Sequence, residues 1–543
     1  MAEKTKAEEL ALMQKEISVS EFFAKNRHLL GFDNPRKALI MAVKEGVDNS
    51  LDASQEARIL PEIYVEVKQL KENKFRIVIE DNGPGIVKEQ IPKIFGKLLY
   101  GSKFHRLKMA RGQQGLGISA VLLYGQLTTG KGMHIQSKIS SKHQAHYFEV
   151  QIDTKKNEPI IAEDKVIEWL NKDHGIKIEF ELEGVYQKGK QSIDEYLKET
   201  ALVNPHATIN YKDPEGKLTT FPRAVNELPK ESKEIKPHPY GIEIGVLIRM
   251  LHSTDSGTLS SFLQNDFCRV SPGIAQQICE ASGLNPRARP STIARDETEK
   301  LYDAIQKTKI IAPPTDCLSP IGEEALIKGL KKEINAEFYT AVTRPPNVYR
   351  GNPFSIEVCI AYGGSLEKDE PIRLMRFANR VPLLYQQGAC SITESVTDTT
   401  WRSYGISQSR DSLPIGPIVL VVHMASVWVP FTSESKEAIA HYEEIIKEVK
   451  LALQEAGRRL YAYIRKTVRA RDQQERVNLF EKYIPELASS LSILSGGSKT
   501  ALQEHLEKIL KKGLKDLLAE VKEAENIEIK GEENGIKKKV KEK

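Results

Sequence analysis

The chain has 543 residues, and at roughly 150 residues per domain that length implies several domains rather than one core. Hydrophobic residues make up 40% and charged residues 28%, which excludes a disordered or fibrous chain. With 79 Lys+Arg against 74 Asp+Glu the net charge is +5, which excludes a histone-like polycation but leaves room for local basic patches on nucleic acid.

From residue 1 to about 225 the pattern mixes strands and helices. Helical periodicity runs through Arg36 to Ala57, and strands are predicted at Glu62–Val67, Phe75–Ile79, His146–Ile152 and Lys177–Phe180. Pro222, Pro229, Pro237 and Pro239 punctuate a charged linker. Short helices follow around Ile242–Leu251, Leu259–Leu263, Ile274–Ala281 and Asp296–Lys307. Strands resume at Phe354–Ala361, Ile372–Phe377 and Ile418–Met424, and a long helix is expected to begin near Lys436. In it Ile439, Tyr442, Ile446, Val449, Leu453, Ala456, Leu460 and Tyr463 form one apolar stripe, read as a core seam or as a lever carrying movement to a partner. Arg465, Lys466, Arg469 and Arg471 read as a solvated face. A last amphipathic run (Leu502, Leu506, Ile509, Leu510, Leu517) leads into a Lys-rich end, Lys537 to Lys543, expected to be disordered.

No run approaches the roughly 18 apolar residues of a membrane span, and the polar opening, Met1 to Lys6, is not that of a signal peptide. The cysteines, Cys268, Cys279, Cys317, Cys359 and Cys390, contain no CxxC pair, so a disulfide framework or zinc site is not expected and a cytoplasmic protein is.

Three segments carry chemistry. In Ala42 to Ala53, Glu45 and Asn49 are four apart and share a helix face; the carboxylate can deprotonate a water, and the amide oxygen suits Mg²⁺. A predicted strand then runs into Asp81, with Gly83 and Gly85 behind it, an arrangement that serves a tight turn or a close approach to a ligand such as adenine's exocyclic amine. Last, Gly112, Gly115 and Gly117 precede an apolar helical run, leaving backbone N–H groups free to cradle phosphates. The loop lacks the Lys-Ser/Thr ending of a P-loop.

Taken in this order, the three segments resemble the GHKL (Bergerat-fold) ATPases, and within them the B-subunit family of archaeal type IIB DNA topoisomerase VI. Phe95 to Lys103, Lys236 to Gly241 and Arg376 to Leu384 are similar to that family specifically. The resemblance implies an α+β multidomain chain: a GHKL α/β sandwich ATPase domain with an N-terminal strap (1–228), a small helix-two-turn-helix domain (229–312), an α/β transducer ending in a long C-terminal helix (313–485), and a helical C-terminal segment (486–543). It implies ATP and Mg²⁺ as ligands, with Glu45 as general base, Asn49 as Mg²⁺ ligand and Asp81 on adenine. Ser102, Lys103, Gly112, Gln113, Gln114, Gly115, Leu116, Gly117, Ile118 and Ser119 would line the nucleotide. Lys436 would bring a transducer ammonium to the γ-phosphate.

One departure is visible: relatives usually carry Gly-Thr at the third glycine box, where this chain has Gly175-Ile176, so the adenine end lacks a hydroxyl or another glycine fills that place. By the same resemblance the partners are DNA, a separate DNA-cleaving A subunit in an A2B2 assembly, and a second copy of this chain that closes on ATP by exchanging the segment around Ser18–Lys25. Arg269, Arg287 and Arg289 are candidate phosphate contacts in the middle domain, or plain solvated arginines. The alternative function is a MutL-like ATP-gated repair clamp.

Overall fold

The computed structural model describes residues 6, 10–11, 14–103, 106–112, 115–433 and 435–510. Contacts gather Met1–Leu460 into one compact unit and Tyr461–Lys543 into a second.

The first half of the larger unit is a sandwich of helices on an eight-stranded sheet. Its elements run α1 (Val19–Lys25), α2 (Pro35–Glu56), β1 (Glu62–Lys71), β2 (Lys74–Asp81), α3 (Ile91–Gly96), α4 (Gly117–Thr129), β3 (Met133–Lys138), β4 (Ala145–Asp153), β5 (Glu158–Ile167), β6 (Gly175–Glu183), α5 (Ile193–Val203), β7 (Thr208–Lys212) and β8 (Leu218–Phe221). The strand order is β5-β4-β3-β6-β2-β1-β7-β8, antiparallel except where β1 pairs with β7. Every second residue of β2 is buried, the period-2 pattern of a sheet with one covered face. The 22-residue α2 begins with Asn34 accepting from the Arg36 N–H and with Pro35 in its first turn, a start that satisfies orphan donors and presets the backbone. Leu39, Val43, Val47 and Leu51 form its inward stripe, each fully buried and worth about 1.5–3 kcal/mol.

A helical cluster follows: α6 (Ile244–Ser253), α7 (Leu259–Asp266), α8 (Pro272–Ser282) and α9 (Arg295–Lys307) around Leu247, Phe262, Ile278 and Leu301. The Lys236–Gly241 segment staples its entry to its exit. The Tyr240 hydroxyl donates to the Thr308 carbonyl at 2.5 Å and accepts from the Ile310 N–H at 3.0 Å. Arg269, Arg287 and Arg289 are all exposed, and Arg269 donates to the Ala312 carbonyl at 3.1 Å.

The second sheet comprises α10 (Glu323–Glu333), β9 (Phe338–Thr343), β10 (Asn347–Tyr349), β11 (Asn352–Tyr362), β12 (Arg373–Ala378), β13 (Val381–Pro382), α11 (Ser391–Asp398), β14 (Ile418–Ser426) and then α12 (Glu443–Ser495). Its order is β10-β11-β14-β12-β13, with β9 also on β11. All nine residues of β14 are buried, which is why it reads as one apolar run rather than an alternating strand.

The long helix starts later than its apolar period predicts. Ile439 pairs with Phe431 in an isolated bridge, and Lys436 holds a left-handed φ of 54°, so residues up to Tyr442 form a loop. The stripe inside the first unit is Ile445, Val449, Ala452, Leu453, Ala456 and Leu460, which leaves out Ile439 and Tyr442 and replaces Ile446 with Ile445. In the second unit α12 exposes Leu479, Phe480 and Tyr483, and Arg465, Arg469 and Arg471 are exposed as well. Another helical run occupies 499–510; Leu517 and the Lys-rich end lie outside the described residues.

Candidate nucleotide site

A cavity of about 610 Å³ opens between α2, the end of β2 and the start of α4. Glu45 and Asn49 line it from α2, as their four-residue spacing requires, and Asp81, Ser102, Lys103, Gly112, Gly115, Leu116, Gly117, Ile118 and Lys436 line it too. Gln113 and Gln114 lie outside the described residues. Ser119 departs from the expectation. It is buried and donates back to the Leu116 carbonyl at 3.1 Å, so it serves the first helical turn rather than the cavity.

Asp81 is built as an acceptor in an apolar setting. Its Oδ2 accepts from the Ser50 hydroxyl at 2.7 Å, and Oδ1 accepts from the Gly83 N–H at 2.8 Å and the Ile176 N–H at 3.2 Å. Burial pushes this carboxyl up against the donors that hold it down, and Ile86, Ile176 and Ile178 line the cavity around it. A donor from a flat apolar ring suits such a place. Gly175-Ile176 thus meets Asp81 through the Ile176 backbone N–H. A Cβ on Gly175, at φ +145°, would stand 2.2 Å from the Asp81 carbonyl oxygen. Gly175→Ala is expected to displace Asp81 and weaken nucleotide binding about tenfold or more, measured by calorimetry; unchanged affinity would remove Asp81 from the site.

The opposite end suits phosphate. Leu116 caps α4 without a side-chain hydrogen bond, leaving the first-turn N–H groups for a ligand. The Glu45 carboxylate lies so close to Gly117 that a Cβ there would meet its Oε2 at 1.9 Å. Phe95 to Lys103 supports this loop from behind: the Leu99 N–H donates to the Gly115 carbonyl at 3.1 Å. Lys436 is buried and donates to the Arg111 carbonyl at 3.0 Å, beside Gly112.

Three residues that hold this geometry were not singled out from the sequence. Ser50 orients Asp81. Asp52 accepts from Lys103 Nζ at 2.7 Å and from Arg111 NH1 at 2.8 Å, so Lys103 lines the cavity but its charge is already paired. Burial pushes Asp52 up, but the Lys103 and Arg111 charges outweigh it and hold its carboxyl well below the usual range. Arg111 also donates to Gln55 Oε1 at 2.7 Å and to Asn204 Oδ1 at 2.5 Å, anchoring the glycine loop to two helices. The helical spacing of Asn49 and Asp52 was the available signal: residues three apart share a face.

The transducer-like stretch Arg376 to Leu384 meets the glycine loop directly. Asn379, at φ 48°, donates to the Ala110 carbonyl at 2.9 Å and to the Ser426 carbonyl at 2.9 Å. The Arg380 N–H donates to His423 Nε2 at 3.0 Å, which leaves Nδ1 of a neutral ring to donate to Glu357 at 2.7 Å. Burial lowers the proton affinity of His423, in keeping with that neutral form.

In the segment expected to be exchanged, the Ser18 and Ser20 hydroxyls both donate to the Thr154 carbonyl, the latter at 2.9 Å. No described helix is long and apolar enough to cross a membrane.

Comparison with known proteins places these observations. The description "Histidine kinase-, DNA gyrase B-, and HSP90-like ATPase" matches residues 38–175, and "Topoisomerase VI B subunit, transducer" matches residues 313–476. A protein of Methanococcoides burtonii, named as the B subunit of type 2 DNA topoisomerase 6, is 52% identical over 487 residues, covering 90% of this chain and 78% of that one. Proteins of the same name from Methanosarcina acetivorans (53% identical; 89% of this chain, 78% of that one) and Archaeoglobus fulgidus (49%; 88% and 79%) are similarly related.

Proposed function

The chain belongs to the family of type 2 DNA topoisomerase 6 B subunits, and from that premise we propose how its nucleotide cavity drives a DNA clamp. It is the ATP-driven subunit of a type II topoisomerase, with a GHKL ATPase domain and a transducer. The observation that carries the mechanism is the convergence on one cavity of Glu45 and Asn49 from α2, the glycine-led start of α4, and Lys436 from the loop before α12.

In this reading Glu45 takes a proton from the attacking water, and the first turn of α4 cradles the phosphates. The Asn49 amide oxygen suits Mg²⁺, which when bound neutralises phosphate charge. Asp81 accepts from the adenine amine. Lys436 tests for the terminal phosphate, so the nucleotide and its products hold the transducer differently. The segments 1–228, 229–312, 313–485 and 486–543 are then a strap-bearing ATPase domain, a helix-two-turn-helix domain, a transducer and a C-terminal extension. Two copies close on ATP, exchanging the segment around Ser18–Lys25, and drive one duplex through a break made by the A subunit of a cytoplasmic A2B2 heterotetramer. Relatives named as topoisomerase subunits across about 90% of this chain favour this over a repair clamp.

The test is sedimentation of the full chain alone, with Mg²⁺ and a non-hydrolysable ATP analogue, or with ADP. Dimers only with the analogue are expected; a monomer under every condition would overturn the self-closing clamp.

A further inference from the structure

Lys436 does not hold its own position. Its φ of 54° is a left-handed conformation that a lysine adopts uncommonly. Within the loop its N–H donates to the Ser433 carbonyl at 3.0 Å. Its two neighbours are gripped from α2. The carbonyl of Ser435, on one side, accepts from Lys44 Nζ at 3.3 Å. Glu437, on the other side, is ion-paired with Lys37, whose ammonium also reaches Asp33 at 3.1 Å. Lys37 and Lys44 are seven residues apart, two helical turns, and so lie on one side of α2.

We propose that Lys44 and Lys37 are positioning residues for Lys436: by gripping Ser435 and Glu437 they fix the loop in the conformation that aims its ammonium into the nucleotide cavity. The inference rests on the reading of Lys436 as the ammonium that tests for the terminal phosphate.

The electrostatics of the spot follow from this arrangement. Lys44 is buried, and burial, then the charge of Lys436, lowers its proton affinity; Asp48, Glu45 and Glu437 act against both. Two ammonium groups held close together need a counter-charge. Asp48, one turn beyond Lys44, supplies it. One of its oxygens accepts from the Tyr196 hydroxyl at 3.1 Å, and the other has no hydrogen-bond partner among the described residues. Burial raises this carboxyl to about 6, with Lys44 and Lys436 pulling it down. A single helix thereby carries the water-activating carboxylate and both grips on the sensing lysine, so neither can shift without the other.

The test compares affinities for ADP and for a non-hydrolysable ATP analogue, using full-length chains whose melting is checked. Lys436→Ala is expected to cut the analogue's advantage over ADP about tenfold, the loss of a charge-assisted hydrogen bond. Lys44→Met and Lys37→Gln should cut the same ratio about fivefold or more while ADP affinity stays within about twofold. On a Lys436→Ala background they should add nothing. Lys37→Glu combined with Glu437→Lys should restore the ratio, a rescue that general loosening of the fold does not produce. Should Lys44→Met fail to fold, the variants of Lys37, which is less deeply buried, carry the test. If Lys436→Ala cuts the ratio and both grip variants leave it unchanged, the inference falls alone. If Lys436→Ala leaves the ratio unchanged, the reading of Lys436 falls and takes the inference with it.

Discussion

Replacing Glu45 with alanine is expected to lower ATP turnover about 10²–10⁴-fold, the span of general-base contributions, while dimers still form with a non-hydrolysable analogue. The reason is that, among the described residues, the other acids of α2 near the cavity are committed elsewhere. Asp52 is committed to Lys103 and Arg111, and Asp48 sits beneath the cavity with Tyr196 and Lys44. Glu56 is two turns beyond Asn49 and faces Lys108 at 3.8 Å. The glycine at 117 exists to let the Glu45 carboxylate lie against the start of α4, and that closeness loses its purpose without the acid. Single-turnover hydrolysis with parallel sedimentation separates chemistry from closure. Equal hydrolysis by the two proteins would take the base role away from Glu45. Asn49→Ala should differ in kind, weakening Mg²⁺-dependent nucleotide affinity itself.

Asp52→Ala is expected to cost the largest stability of any single change at the site, about 3–5 kcal/mol, because it strands a buried charge. Lys103 can turn to solvent, but Arg111 is 5% exposed and keeps only neutral acceptors, Gln55 and Asn204. Asp52→Asn, which retains one acceptor oxygen, should cost less. The pH dependence has a definite sign. The folded carboxyl is held below its unfolded value, so its contribution is complete above the unfolded value near about 4 and is lost as the pH falls below it. Denaturant midpoints at neutral and acid pH check this: the gap between wild type and Asp52→Ala should narrow toward low pH. A gap of constant size would mean that the ion pairs contribute nothing.

Much of the site was legible because its chemistry is local. Glu45 and Asn49 share a face by helical spacing alone, and the glycines before α4 announce a backbone that must stay bare. The fold was legible where one period dominated, in α2 and in the apolar runs of β11 and β14. It was not legible where two segments distant in sequence settle a conformation. The apolar spacing of Ile439 and Tyr442 continued the helix on paper, yet the Phe431 bridge and the grips of α2 hold that stretch as a loop. Ser119 belongs to the glycine motif by position but turns inward, because a hydroxyl in a first helical turn finds a carbonyl three residues back. Asp52 could not be singled out from the sequence, because its partners Lys103 and Arg111 stand more than fifty positions away.

The concentration of so many tasks on α2 has a consequence for how this chain can change over time. Single substitutions on it act one at a time, at Lys37, Lys44, Glu45, Asn49, Ser50 or Asp52. A one-residue insertion or deletion acts on all that follow, because each residue advances the helix by about 100° and about 1.5 Å. A deletion between Glu45 and Asn49 would turn the amide and Asp52 away from partners that stay where they are, with no local repair within reach. The helix is thus fixed in count, whereas an exposed turn such as that at Gly189, where an added Cβ would meet nothing, tolerates changes in length.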